Sequence, residues 1–530
     1  MMRTFRLALA LLVLAPLAAY ASNPLIIKTD KGKVKGFYTH DRQVREFEGI
    51  PFAAPPVGDL RWQPPQPAAK WKGVRDATRF GPRCMQAHIY RDMRFRDPGP
   101  SEDCLSLNVW TPSDAKKGNL PVMVWIFGGG YKAGGTSEPR QDGQFLAHRN
   151  VVVVSMNYRL GIFGFLALPD LTAESPYHAS GNYGLMDQNA AIEWVQKNIA
   201  RFGGDPHNIT IFGESAGSFS VSTLMASPLS RDRFQKALGE SGGAFYSGGL
   251  SYLPLQAAEQ RDAKFAKAAF DTDSLAKLRK IPADELLKET IAESRTDHVH
   301  FAPDVDGWFL PESVPAIYAA GEQAHIPLLA GWNADEARAE VTFAKPPVTA
   351  ASFRKRVDAV FGPDAEEFLK LYPANTDAEA VRSAGDFASD RFIVFSTWCW
   401  INAHVKTGDA PVYHYRLDLA PPADKFHRAG SGAFHSDDIE YVFGTLDSRP
   451  DAKWRPEDYK LSNEIGEYWT NFARTGNPNG EGLPNWPTYD EADGWQTMHL
   501  DAVSEARPAK HRDRYEFLLK VWGKPAAMEN

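Results

Sequence analysis

Short apolar runs closed by glycine or proline recur along the chain, separated by longer stretches in which apolar residues return every three or four positions. Pro121–Phe127 and Val151–Tyr158 are nearly continuous in apolar residues and bounded by turn residues, which predicts strands buried on both faces. Ile209–Phe212 and Ile326–Ala330 are shorter runs of the same kind. Asp187–Phe202 places Ala191, Trp194, Val195 and Ile199 on one helical stripe and ends at Gly203-Gly204, a helix followed by its stop signal. Strands that are apolar throughout and alternate with helices belong to a mostly parallel sheet covered on both faces, so the fold class is α/β. No internal repeat or low-complexity linker divides the chain, and residues 22–530 are read as one domain.

The first residues are read apart from the fold. Arg3 and Arg6 precede an apolar run from Leu7 to Ala19, and Ala19-Tyr20-Ala21 is a small-x-small cleavage site; residues 1–21 read as a secretory signal peptide, with a mature chain starting at Ser22. The expected location is outside the cytoplasm, secreted or periplasmic, with no membrane anchor left after cleavage. The 530 residues are 43% hydrophobic and 24% charged, which is globular composition. Losing Arg3 and Arg6 takes the 59 basic residues to 57 against 66 acidic ones, a net charge of −9 that argues against nucleic acid as a partner. Of the three cysteines, Cys399 lies between Trp398 and Trp400 and reads as a buried apolar thiol.

Two Gly-x-Ser-x-Gly patterns carry the candidate chemistry, and context separates them. Gly213-Glu214-Ser215-Ala216-Gly217 follows the strand Ile209–Phe212 and precedes a helix-compatible stretch, Ser218–Met225, the strand-turn-helix setting of a nucleophile elbow. Gly239-Glu240-Ser241-Gly242-Gly243 follows Phe234–Leu238 but leads into glycine-rich loop, so Ser241 is read as a structural decoy. A serine hydroxyl needs a base to take its proton and an acid to orient that base. In an elbow fold both follow the serine, acid first. Asp335 and Glu336 follow the run Ile326–Ala330, and His435 lies in the small-residue loop Gly430-Ser431-Gly432-Ala433-Phe434-His435. Gly128-Gly129-Gly130 directly follows the strand ending at Phe127, where unhindered amides, with that of Ala216, can receive an oxyanion.

Four blocks extend these signals: Gly49-Ile50-Pro51-Phe52-Ala53 with Pro55-Pro56-Val57-Gly58, Glu102-Asp103-Cys104-Leu105-Ser106-Leu107-Asn108-Val109-Trp110, Phe212–Gly217, and His435 ahead of Ile439-Glu440-Tyr441-Val442-Phe443-Gly444. From Asn23 to about Leu519 the chain resembles the type-B carboxylesterases, the family that includes carboxylesterases and cholinesterases. The resemblance implies an α/β-hydrolase fold and a triad of Ser215, Glu336 and His435, placing Glu336 ahead of Asp335. It further implies oxyanion donors at Gly129, Gly130 and Ala216 and a bridge between Cys84 and Cys104. Three positions depart from the family's pattern: Phe127 where His or Tyr often precedes the glycines, Ala337 for the common Gly after the acid, and Ser436 for the frequent Gly after the histidine.

The expected activity is therefore two-step hydrolysis of a small-molecule carboxylic ester through an acyl-enzyme, with no metal and no organic cofactor. The same triad also serves thioesters, lactones and amides, and a scaffold that has lost the chemistry is the reading from another class. His298-Val299-His300 lacks the helix-borne HExxH and third ligand of a zinc site. Asn208-Ile209-Thr210 matches a glycosylation sequon but overlaps a predicted core strand. Glu214 and Glu440 are read as field-tuning or salt-bridging residues outside the catalytic set, and the regions 298–312 and 386–402 as contributors to the substrate pocket.

Overall fold

The computed structural model describes residues 23–116, 118–246, 252–294, 299–337 and 347–523. The leader 1–21, the start at Ser22 and His298 lie outside the described residues. The central sheet has eleven strands: β1 (Phe37–Tyr38), β2 (Val44–Pro51), β3 (Ser106–Pro112), β4 (Leu120–Ile126), β5 (Val152–Met156), β6 (Gly204–Glu214), β7 (Lys236–Glu240), β8 (Leu328–Asn333), β9 (Val412–Leu417), β10 (Gln496–Leu500) and β11 (Glu505–Pro508). Across the sheet they run β11-β10-β9-β8-β7-β6-β4-β5-β3-β2-β1. Every pairing from β5 through β10 is parallel, and antiparallel strands close both edges. The expected mostly parallel sheet is present.

Six helices matter for the site: α1 (Tyr183–Asn198), α2 (Ala216–Ala226), α3 (Asp377–Ser389), α4 (Phe395–Thr407), α5 (Asp438–Phe443) and α6 (Pro456–Thr475). Strand β7 shows why its neighbours must be apolar throughout. Gly239 has Trp400 of α4 and Ser218 of α2 against its α-carbon, while the next residue, Glu240, accepts a hydrogen bond from Trp469 of α6 (2.8 Å). Successive strand residues point to opposite faces, so helices cover both, and Val122, Met123, Val124, Trp125 and Ile126 of β4 have no exposed surface.

Element boundaries differ from the pattern for identifiable reasons. Helix α1 begins four residues before Asp187 because Tyr183, Leu185 and Met186 are buried too. After Asn198 it tightens into a 3-10 turn, Ile199–Phe202, and stops at Gly203 with φ 105°, where glycine carries no steric penalty. Strand β8 starts after Pro327, which has no N–H for the ladder, and runs on to Asn333. Cys84 and Cys104 are joined by a disulfide closing a separation of 20 residues, worth about 3 kcal/mol in the chain-entropy model; Cys399 is buried and unbonded. Among the described residues no helix is long and apolar enough to cross a membrane.

Candidate active site

The chain order crosses over at β4: β5 lies on one side of it and β6 on the other. In open parallel sheets such a switch point leaves a crevice beyond the carboxyl ends of the strands. Four of those ends carry candidate residues: Gly128–Gly130 after β4, Ser215 after β6, Ser241 after β7 and Glu336 after β8.

Ser215 stands between β6 and α2 with φ 53° and ψ −123°, a conformation that costs a non-glycine residue energy and is held by its surroundings. Its amide donates to the Glu240 carbonyl (2.9 Å). A Cβ at Gly217 would overlap the Ile126 carbonyl oxygen, and one at Gly213 would stand 2.6 Å from the same atom. The two glycines thus let the elbow press against the end of β4, which brings Ser215 beside the triple glycine.

His435 and Glu336 reach Ser215 from two later segments. His435 Nε2 lies 2.9 Å from Ser215 Oγ, and His435 Nδ1 lies 2.7 Å from Glu336 Oε2. The second carboxylate oxygen, Oε1, accepts from the Asn333 amide (2.7 Å) and from the Ser241 hydroxyl (2.6 Å). Asp335 does different work. Its amide donates to Ala433 O (2.8 Å) and its carboxylate accepts from Ala433 N (3.2 Å), so it fastens the histidine loop to the end of β8. The carboxylate fills the space where a Cβ at Gly432 would sit. Ser241 is therefore no bystander: it is fully buried, shares the φ of 53° seen at Ser215, and hydrogen-bonds the acid. The signal for it lay in its own Gly-x-Ser-x-Gly pattern, which marks a second tight turn at the neighbouring strand end.

The glycine run packs directly on the elbow. A Cβ at Gly128 would stand 2.9 Å from Ser215 Cβ and 2.5 Å from Glu214 Oε2. Gly129 and Gly130 adopt φ of 105° and 62°, a left-handed turn in which the Gly129 carbonyl accepts from the amides of Lys132 and Ala133. Among the described residues the amides of Gly129, Gly130 and Ala216 donate to no protein acceptor. His300 Nε2 donates to the Gly130 carbonyl (2.7 Å), and Phe392 sets its ring edge-on to His435 with centroids 4.9 Å apart. The two regions expected to build the pocket, 298–312 and 386–402, therefore both reach the site.

The three departures from the family pattern fall in distinct local settings. Phe127 is 1% exposed and stacks on Tyr158 (4.4 Å), inside the core. Ser436 takes φ 66°, the left-handed region that favours the glycine common there. The Ala337 amide donates to Ser389 Oγ (3.0 Å).

The two carboxylates read as lying outside the catalytic set, Glu214 and Glu440, are both buried. Glu214 is buried, with Oε1 3.3 Å from His435 Nε2. Burial pushes Glu214 up to about 8 against the pull of the imidazole. Burial alone would lower His435, but the carboxylates of Glu214 and Glu336 outweigh it and push the imidazole up to about 9. Glu440 is buried beside the Arg449 guanidinium, 3.8 Å away.

The strand order and the strand–Ser215–helix turn are those of an α/β hydrolase. The model of the carboxylesterase family matches residues 23–518. The chain is 38% identical to fumonisin B1 esterase of Sphingopyxis macrogoltabida, over 90% of this chain and 86% of that one. It is 37% identical to para-nitrobenzyl esterase of Bacillus subtilis (strain 168), over 90% and 95%, and 37% identical to liver carboxylesterase of Sus scrofa, over 94% of each. Among solved structures, a PNB esterase superposes with a TM-score of 0.79 at 34% identity, covering 93% of this chain and 99% of that one. The chain belongs to the carboxylesterase family and is a carboxylic ester hydrolase.

Proposed function

We propose that this enzyme cleaves small-molecule carboxylic esters in two acyl-transfer steps, with Ser215 as nucleophile, His435 as general base and acid, and Glu336 as the group that orients His435. The observation that carries the reading is the unbroken relay from Ser215 Oγ through His435 to Glu336, at 2.9 and 2.7 Å. As Oγ bonds to the ester carbonyl carbon, its proton passes to His435 Nε2 and the carbonyl oxygen becomes an oxyanion. The amides of Gly129, Gly130 and Ala216 receive that charge; one such donor typically contributes about 3 kcal/mol to the transition state. The carbon–oxygen bond to the alcohol then breaks, and the leaving oxygen takes the proton from Nε2. Water repeats the sequence on the acyl-enzyme, releasing the acid. Export after loss of residues 1–21, with 22–530 as one catalytic unit, belongs to the same reading and is supported by the apolar leader and the Cys84–Cys104 bridge.

The direct test is labelling. An organophosphate should inactivate the full chain towards p-nitrophenyl butyrate at one equivalent per molecule and leave its phosphoryl group on the peptide containing Ser215. A label on the Ser241 peptide, or full inactivation with Ser215 unmodified, would overturn the proposal.

The field at His435 predicts a pH profile. Only the neutral imidazole accepts the serine proton, so a raised His435 pKa makes kcat/KM climb with pH through the range toward 9. Glu214→Gln removes the carboxylate whose charge, present above about 8, stabilises the imidazolium in the range where His435 loses its proton. The acid limb of kcat/KM should then move down by about one pH unit, or about 1.4 kcal/mol of charge interaction. A limb that stays in place or moves up would show that Glu214 does not set the base.

A further inference from the structure

Behind the acid loop, away from Ser215, lies a cavity of about 80 Å³, open on one side to solvent. The walls combine aromatic surface, including Trp398, Tyr489 and Tyr515, with the cations Arg416, Lys510, Arg512 and Arg514, against two wall carboxylates, Asp386 and Asp390. That balance is positive in a chain whose net charge is −7.

The partners of these groups decide which of them are available. Arg514 is committed to both wall carboxylates, at 3.0 Å from Asp386 and 3.9 Å from Asp390, and Asp390 also accepts from the Tyr372 hydroxyl (2.6 Å). Arg416 pairs through Nη1 with Asp418 (2.9 Å), which also accepts from His499. Arg512 donates to the Tyr489 hydroxyl (2.8 Å), pairs with Glu516 (3.6 Å) and lies over Trp495, 3.9 Å from its centroid. Lys510 is solvent-exposed at the rim and is paired with no carboxylate among the described residues. It is followed by His511 at φ 63°, a strained position for a non-glycine residue of the kind that clusters at ligand sites. One ammonium, part of a guanidinium fork and flat ring surfaces match a ring that bears a carboxylate.

Two connections run from this cavity to the site. Between α3 and α4 the chain makes a π turn, Asp390–Val394, a form frequent at functional sites. Asp390 and Val394 line the cavity, while Phe392 between them lies edge-on to His435. Ser389, also in the wall, accepts from the Ala337 amide (3.0 Å) and donates to the Ala337 carbonyl (3.1 Å), one residue beyond Glu336.

We infer that this cavity is an effector site for a small ring-bearing carboxylate, coupled to the His435 side of the active site through the π turn and the Ser389–Ala337 clasp. An occupant touching Asp390 and Val394 holds the turn and keeps Phe392 against the imidazole, which slows turnover without blocking Ser215. Acids of this class are also what hydrolysis of aromatic esters releases. The coupling rests on the proposed role of His435; the binding does not.

Benzoate is the probe, titrated calorimetrically into the full-length Ser215→Ala protein, with benzyl alcohol and acetate supplying the ring and the charge separately. Benzoate should saturate one site, both controls should bind at least about tenfold more weakly, and adding Arg416→Gln and Lys510→Gln should weaken benzoate by about tenfold. In the wild-type enzyme benzoate should lower kcat for p-nitrophenyl acetate by about fivefold with KM unchanged. Lys510→Gln, at an exposed position, should keep the unliganded kcat and lose most of that response. Binding that the two substitutions leave intact, no saturable binding, or purely competitive inhibition would each overturn the inference. Failure of the triad reading would appear separately, as ester hydrolysis that survives Ser215→Ala.

Discussion

Ser215→Ala should lower kcat towards a p-nitrophenyl ester by about 10⁶-fold, whereas Ser241→Ala should lower it only about tenfold. Both serines lie in Gly-x-Ser-x-Gly turns at neighbouring strand ends with the same φ of 53°, so backbone shape does not separate them. Their partners do. Ser215 precedes an eleven-residue helix and faces His435, and removing its oxygen removes the atom that would carry the acyl group. Ser241 has no exposed surface and its hydroxyl points at Glu336 Oε1, so no ester carbonyl can reach it. Its loss leaves the carboxylate with the Asn333 amide on that oxygen, which loosens the acid without disabling it. Comparing the two purified variants by single-turnover kinetics checks the assignment. Equal losses, or the larger loss at position 241, would sink it.

Much of this arrangement could be read along the chain because it rests on burial. Val122–Ile126 and Val152–Met156 lie in the middle of a sheet covered on both faces, and no polar residue except Ser155 interrupts them; continuous apolarity is the signature of that position. Ser215 was legible because its turn demands glycine on either side. The choice between Asp335 and Glu336 was not legible from spacing, since adjacent residues at a strand end diverge by an angle that only the loop fixes. The loop turns Asp335 onto the Ala433 amide and Glu336 onto the imidazole, and only family resemblance had ranked them. The Ser241 contact was hidden because it joins two strands 95 positions apart. Phe392 sits in a π turn, whose spacing belongs to neither helical nor strand periodicity. Strand limits slipped where proline intervened, as at Pro327, because hydropathy does not register a missing N–H.

Glu336→Gln should lower kcat by about 10⁴-fold while Asp335→Asn stays within about tenfold, and the reason lies in the donors around the carboxylate. Oε1 of Glu336 is met by two hydrogens, from the Asn333 amide and the Ser241 hydroxyl. A glutamine must place its carbonyl oxygen there, because its NH₂ would face two donors. The NH₂ then takes the Oε2 position, 2.7 Å from His435 Nδ1. That nitrogen is forced to accept, so the proton moves to Nε2, the atom facing Ser215 Oγ. A protonated Nε2 cannot take the serine proton, and the imidazolium that forms during attack also loses its counter-charge. Asp335→Asn keeps an oxygen for the Ala433 amide and leaves the tautomer alone, so its cost falls on how firmly the histidine loop is held. Rates for both variants on one ester, with near-ultraviolet circular dichroism to verify the fold, decide the matter; an active Glu336→Gln enzyme would mean that the histidine is oriented by some other group.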